Sequence, residues 1–245
     1  MPTGKARGKS LHVAVAQDIG ARILKGEFAP GTLLPNEAEW CRVYKVSRTA
    51  VREAIKTLAG KGMILSRPKI GSRVEPRTSW NLLDRDVLTW YSASVNYERF
   101  AREVQQIRFI IEPEAAALAA ANRTPEQLAE IEAALADMIS SQDPVAWNLA
   151  DVRFHLTILN ASGNELIVPF GRAIESMLAK LFEFTVAQRL NPRDALSLHE
   201  GILKAIRAKR PEAARKAARN LIADTQNTIN RAARREKQKR RVLIK

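Results

Sequence analysis

Three residues of kinds that hold divalent cations stand at a spacing that can bring them together. Asp151 and His155, in "DVRFH", are four apart and therefore share one face of a helix. His199, in "SLHEGILKAI", lies on a later helix. A carboxylate and two imidazoles meeting inside a helical bundle form a three-ligand set for a divalent metal such as Zn, Ni or Mn. The alternative is three core polar residues, each satisfied by hydrogen bonds. A second group has different chemistry. In "VSRTAVREAIKTLAGKGMI", Val46 to Ile64, Arg48 and Arg52 share a face, with the hydroxyls of Ser47 and Thr49 beside them. An arginine fork can bind guanine O6 and N7 together, with about 1–3 kcal/mol of discrimination. Val51, Ile55 and Leu58 occupy the opposite face and pack inward. The alternative is two solvated arginines paired to neighbours.

The elements that must position these residues can be read outward from them. Leu11, Val15, Ile19, Ile23 and Leu24 recur at helical spacing, which predicts a first helix over residues 10–25, ended by "GEFAPG". Asn36 with Glu39 three residues later predicts a capped second helix. Ser47 caps a third, running to about Leu58 and closed by Gly60 and Gly62. The short gap between the second and third is the turn of a helix-turn-helix. Two β-prone runs, Met63–Ser66 and Ser72–Glu75, flank "RPKIG" and predict a hairpin wing carrying Arg67, Lys69 and Arg73, with Arg73 and Ser47 expected among the DNA-contacting residues.

The fold class expected is mainly α: an N-terminal winged helix-turn-helix with a small β-hairpin, then an all-α antiparallel bundle. The divisions expected are residues 1–77 for the DNA-binding domain, 78–83 for a linker, 84–235 for an effector-binding and dimerisation domain, and 236–245 for a basic tail. Six helices are expected in the bundle. One contains Pro113, which should disturb it locally, and two begin with cap-and-proline pairs, Thr124–Pro125 and Asp143–Pro144. The fifth begins at Asn191.

Charge follows the same division. Residues 1–77 hold 15 Lys+Arg against 6 Asp+Glu, residues 78–230 hold 17 against 19, and residues 231–245 hold 8 against 1. The basic excess sits at the two ends, as expected of a nucleic-acid-binding end joined to a domain with another task. Cys41 has no intrachain partner for a disulfide, and no run approaches the roughly 18 apolar residues of a membrane span. A cytoplasmic protein with no membrane partner is expected. An enzyme using Asp151, His155 and His199 would need a separate acid or base, which no motif announces, and would leave the winged helix idle. A non-specific architectural DNA-binding protein would leave the bundle idle.

"GEFAPGTLLPNEAEWCRVYKVSRTAVREAIKTLAGKGMI" resembles the DNA-binding domain of the GntR family of bacterial transcription regulators, over residues 10–76. The resemblance implies DNA contacts at Arg48, Thr49, Arg52, Lys69 and Gly71. It implies none at Ala38, where many members carry a DNA-contacting arginine. "IRFIIEPEAAALAA", "DVRFH", "ASGNELI" and "HEGILKAI" resemble the FCD effector domain of the FadR-like subfamily. That likeness implies a metal held by Asp151, His155 and His199, with Asn220 at the usual fourth-ligand position. It also implies a small carboxylate effector met by Arg108. An internal salt bridge of Arg108 to Glu112, four residues on, is an alternative that does not exclude that role. "SWNLLDRDVLTW" and the absent fourth histidine resemble the branch that regulates galactonate and related sugar-acid catabolism, which implies hydroxyl contacts from Gln105 and Asn164. The implied assembly is a homodimeric repressor on a double-stranded DNA operator.

Overall fold

The computed structural model describes residues 4–187 and 195–243. Two compact units divide the chain, Met1–Asn96 and Tyr97–Lys245. In the first, α1 (Gly4–Lys25), α2 (Glu37–Tyr44) and α3 (Arg48–Gly60) lead into β1 (Ile64–Arg67) and β2 (Gly71–Val74), followed by α4 (Arg85–Ser94). Asn36 and Glu39 form a reciprocal capping box at α2, and the Ser47 side chain accepts the Ala50 N–H at α3, so both expected caps are present. The wing is an antiparallel pair in which Ile64 faces Val74 and Arg67 faces Gly71. Ile19, Val51, Leu58 and Met63 are fully buried, so the apolar face of α3 is spent on the core and its polar face is left outside.

The expected boundary at residue 83 is not where the units divide. Helix α4, assigned from sequence to the effector half, packs against α1. Its Trp90 lies over Gly20, where an added Cβ would stand 2.5 Å from the indole ring. Lys61 fastens the start of α4 through Asp84 at 2.6 Å and Asp86 at 2.8 Å. Gly20→Ala should therefore destabilise this unit by about 1–3 kcal/mol through overpacking, although alanine is the better helix former. Thermal unfolding followed by circular dichroism checks it; a raised melting temperature would show that Trp90 yields freely.

The second unit contains α5 (Tyr97–Asn122), α6 (Pro125–Ser140), α7 (Pro144–Asn160), α8 (Val168–Ala187), α9 (Leu196–Arg207) and α10 (Pro211–Leu243). Pro113 does not interrupt α5, which runs past it. Its ring is buried, and the packing of α5 outweighs one lost backbone bond. Ala116, Ala119 and Ala120 of α5 join Phe154, Ile158, Ile202, Ile206, Ala214, Ala218 and Leu221 in one core. Small residues on α5 let neighbouring helices approach closely. Helices α5 and α7 run in the same direction, since Glu112 meets His155 and Asn122 meets Ser162 further along both. The basic stretch expected as a tail from residue 236 continues α10 as helix to Leu243. The expected helix start at 191–194 lies outside the described residues.

Candidate functional site

The helix α3 emerges from its capped start with Arg48, Thr49 and Arg52 exposed. An N-terminus offers free N–H groups and a dipole that favour phosphate, while side chains of the first turns can reach base edges. Ser47 is exposed but its oxygen already serves as the cap of α3, which leaves its hydroxyl hydrogen to donate. Arg52 is held by Glu37, whose two carboxylate oxygens accept from Nε at 2.8 and 3.0 Å. Sequence reading had no rule that would pair residues on two different helices. On the wing, Lys69 has φ 65° and Gly71 φ 100°, so the turn is left-handed at both positions. Lys69 and Gly71 are exposed there, available to a backbone phosphate. Arg73, expected at the DNA, donates through Nη1 to the Gly31 carbonyl and braces the wing on the loop before α2.

The second unit brings Asp151, His155, His199 and Arg108 together in one cluster, buried except at Asp151, which is partly exposed. Donor atoms of Asp151, His155 and His199 all lie within 4.8 Å of one another. Arg108 is buried and donates through Nε to Glu112 at 2.6 Å, with Nη2 at 3.3 Å from His155 Nε2. The internal salt bridge of Arg108 to Glu112 is therefore formed. Glu112 Oε2 lies 2.8 Å from His155 Nδ1. His199 Nδ1 lies 2.9 Å from the Ala195 carbonyl, an acceptor only, so that nitrogen carries the proton. Both rings therefore turn Nε2 toward Asp151, whose Oδ1 is 3.7 Å from His155 and 2.9 Å from His199. Second partners that fix the ring orientation in this way are typical of metal-binding histidines.

The charge balance has a clear cause. Burial pushes the Asp151 carboxyl up, and His199, His155 and Arg108 outweigh it, leaving it below the ordinary carboxylate range. Burial acts on Glu112 in the same sense and is overcome by Arg108 and His155, which hold that carboxyl well below its usual value. Arg108, Glu112 and Asp151 therefore carry one positive and two negative charges.

Several buried polar atoms have no hydrogen-bond partner among the described residues: His199 Nε2, both side-chain polar atoms of Gln105, and Trp147 Nε1. His199 Nε2 nonetheless stands 2.9 Å from Asp151 Oδ1, at ion-pair distance. Gln105 precedes Arg108 by one turn of α5, and Trp147 precedes Asp151 by one turn of α7 with its ring edge-on to His199 at 6.2 Å. Because α5 and α7 run the same way, these orphans extend the cluster at one end. Trp147 was missed from sequence, where its position four before Asp151 was the available signal. Asn164 is exposed on the turn after α7, its Oδ1 accepting the Leu166 N–H. Asn220 is likewise an exposed residue of α10, so the metal-type group in the described residues is the trio. An asparagine on that outer face offers the cluster no fourth donor.

Residues 11–74 match the bacterial regulatory proteins of the gntR family, and residues 103–224 match the FCD domain. The HTH-type transcriptional regulator YieP of Escherichia coli (strain K12) is 37% identical over 220 residues, covering 89% of this chain and 94% of that one. This chain belongs to the gntR family of bacterial regulators. Another relative, the galactonate operon transcriptional repressor of Escherichia coli (strain K12), is 35% identical and covers 84% of this chain and 91% of its own. A solved structure of Lar, described as controlling the Listeria monocytogenes agr system, superposes with a TM-score of 0.57 at 20% identity, over 90% of this chain and 96% of that one. That likeness supports the fold. As a gntR-family regulator with an FCD domain, the protein is a DNA-binding transcriptional regulator. No helix among the described residues is long and apolar enough to cross a membrane.

Proposed function

We propose that the protein is a cytoplasmic, homodimeric repressor with a DNA-binding unit that runs through α4 and an effector-binding, dimerising unit that begins at α5. A small hydroxylated carboxylate, such as an aldonate, releases it from its operator. The observation that carries the effector reading is the trio of partly buried Asp151 and buried His155 and His199, with His199 Nε2 2.9 Å from the Asp151 carboxylate. The donor set, two nitrogens and one oxygen with oriented rings, fits a divalent cation such as Zn, Ni or Mn. Bound there, such a cation supplies positive charge to which a carboxylate can attach.

A cation held between Asp151 and the two imidazole Nε2 atoms would stand between that carboxylate and an anionic effector, offsetting their like-charge repulsion. Arg108 is paired with Glu112 and adds to the charge of that cluster from one side. Acid binding is therefore metal-dependent in this reading. Gln105 supplies one donor group and one acceptor, and Trp147 a donor, for hydroxyls further along the ligand. Asn164 has no part, given its exposed turn. The relative named for the galactonate operon supports a sugar acid as ligand class. A two-fold dimer suits a helix-turn-helix that reads a pseudo-palindromic site.

The test is operator release by a panel of aldonic, uronic and dicarboxylic acids, with and without added divalent metal. One hydroxylated acid with metal should lower operator affinity by about 5- to 150-fold and, at 100 times its dissociation constant, stabilise the protein by about 2.7 kcal/mol. Chelation and Asp151→Asn should each remove both effects. Full release in the presence of chelator would refute the metal-linked reading. Sedimentation tests the dimer.

A further inference from the structure

The geometry points to Glu37 as the residue that positions Arg52 for reading a guanine, and so as a determinant of operator specificity. Glu37 opens α2 and Arg52 lies in the second turn of α3, fifteen residues away. They meet because of the angle at which the two helices of the motif cross. Both carboxylate oxygens take the same donor, Nε, at 2.8 and 3.0 Å. The terminal nitrogens Nη1 and Nη2 stand outside the pair.

That division of the guanidinium matters. Guanine O6 and N7 are met by two parallel N–H groups, and the end-on fork of Nη1 and Nη2 supplies them. A carboxylate bound to the fork itself would compete with the base. One bound to Nε leaves the fork open and fixes the plane in which it points. The side chains are 63% and 42% exposed, and an exposed pair of this kind adds little to stability. Its place beside the exposed Arg48 and Thr49 gives it a different effect, on DNA. A carboxylate on a DNA-facing surface repels phosphates in any register, which weakens sequence-independent binding. In the specific register, an arginine already held in one orientation loses less freedom when it docks. Both effects widen the gap between specific and non-specific affinity.

The experiment uses the full chain and two duplexes, one selected by the wild-type protein from a randomised library and one scrambled. Glu37→Ala should lower affinity for the selected duplex and leave or tighten binding to the scrambled one, so that their ratio falls by about tenfold. Its melting temperature should be unchanged. Glu37→Gln keeps an acceptor for Nε and should restore much of the ratio. In an Arg52→Ala background, removing Glu37 should change the ratio by less than about twofold. A ratio that is unchanged or raised by Glu37→Ala, an equal loss on both duplexes, or an effect that persists without Arg52 would each overturn the assignment.

Discussion

Arg108→Met is expected to lower the stability of the helical unit by about 3–5 kcal/mol, the range for removing one partner of a buried ion pair. Arg108 and Glu112 are both buried, and Glu112 would be left with His155 Nδ1 as its remaining partner. An unpaired carboxylate in that setting costs more than the attraction lost. Replacing both residues, Arg108→Met with Glu112→Met, should recover most of that loss, because no charge is then stranded. It should not recover the acid response, since His155 loses the group that fixes its ring. Urea unfolding of the single and double variants reads the first effect, and operator release reads the second. A loss below about 1 kcal/mol for Arg108→Met would mean that the pair is solvated in the protein and that Arg108 is available to a ligand after all. Arginine-to-alanine substitution at this position is a poor probe of effector binding for the same reason: it unsettles the unit that holds the pocket.

Arg48→Ala and Arg52→Ala should each weaken operator binding by about 10- to 100-fold, and together by more than either alone. The expectation follows from position. Both side chains stand exposed on the first two turns of α3, while Val51, Ile55 and Leu58 on the other face are buried, so truncation removes contacts without opening the core. Melting temperature should therefore stay near that of the wild type. Lys69→Ala behaves differently in this scheme. A wing lysine near phosphate contributes charge, so its loss should weaken binding to all sequences alike and reduce the salt dependence by about one ion. Titrations on operator and scrambled duplexes at two salt concentrations separate the two behaviours. Unchanged operator affinity in Arg52→Ala would remove the guanine-reading role from α3.

The helices and their starts were legible because the information is local. Asn36 with Glu39, Ser47, Thr124 with Pro125 and Asp143 with Pro144 mark helix starts within four residues of chain, and the structure has helices at each. The division into units was less legible. Charge and motif content change near residue 77, but the packing of Trp90 on Gly20 decides where α4 belongs, and no periodicity encodes a contact seventy residues away. Pro113 shows the opposite failure: a local rule warned of a break, and burial along α5 overrode it.

The candidate site divides in the same way. Asp151 and His155 could be placed on one face from spacing four, and Arg48 and Arg52 could be placed at a helix start by the cap that precedes them. His199 was joined to the pair by residue type and its place on a later helix, and the resemblance added the metal role. The sequence by itself determined which chemistry was present: a basic, capped recognition helix, a carboxylate with two imidazoles, and charge segregated to the ends. Tertiary structure alone decided what each group is bonded to. It turned Arg108 toward Glu112, turned Arg73 back to Gly31, left Asn164 and Asn220 outside, and set Glu37 against the Nε of Arg52. The reason is physical. Helix periodicity fixes the direction of a side chain relative to its own axis, whereas its partner depends on the crossing angles and separations of other helices, which are set by the packing of the whole core.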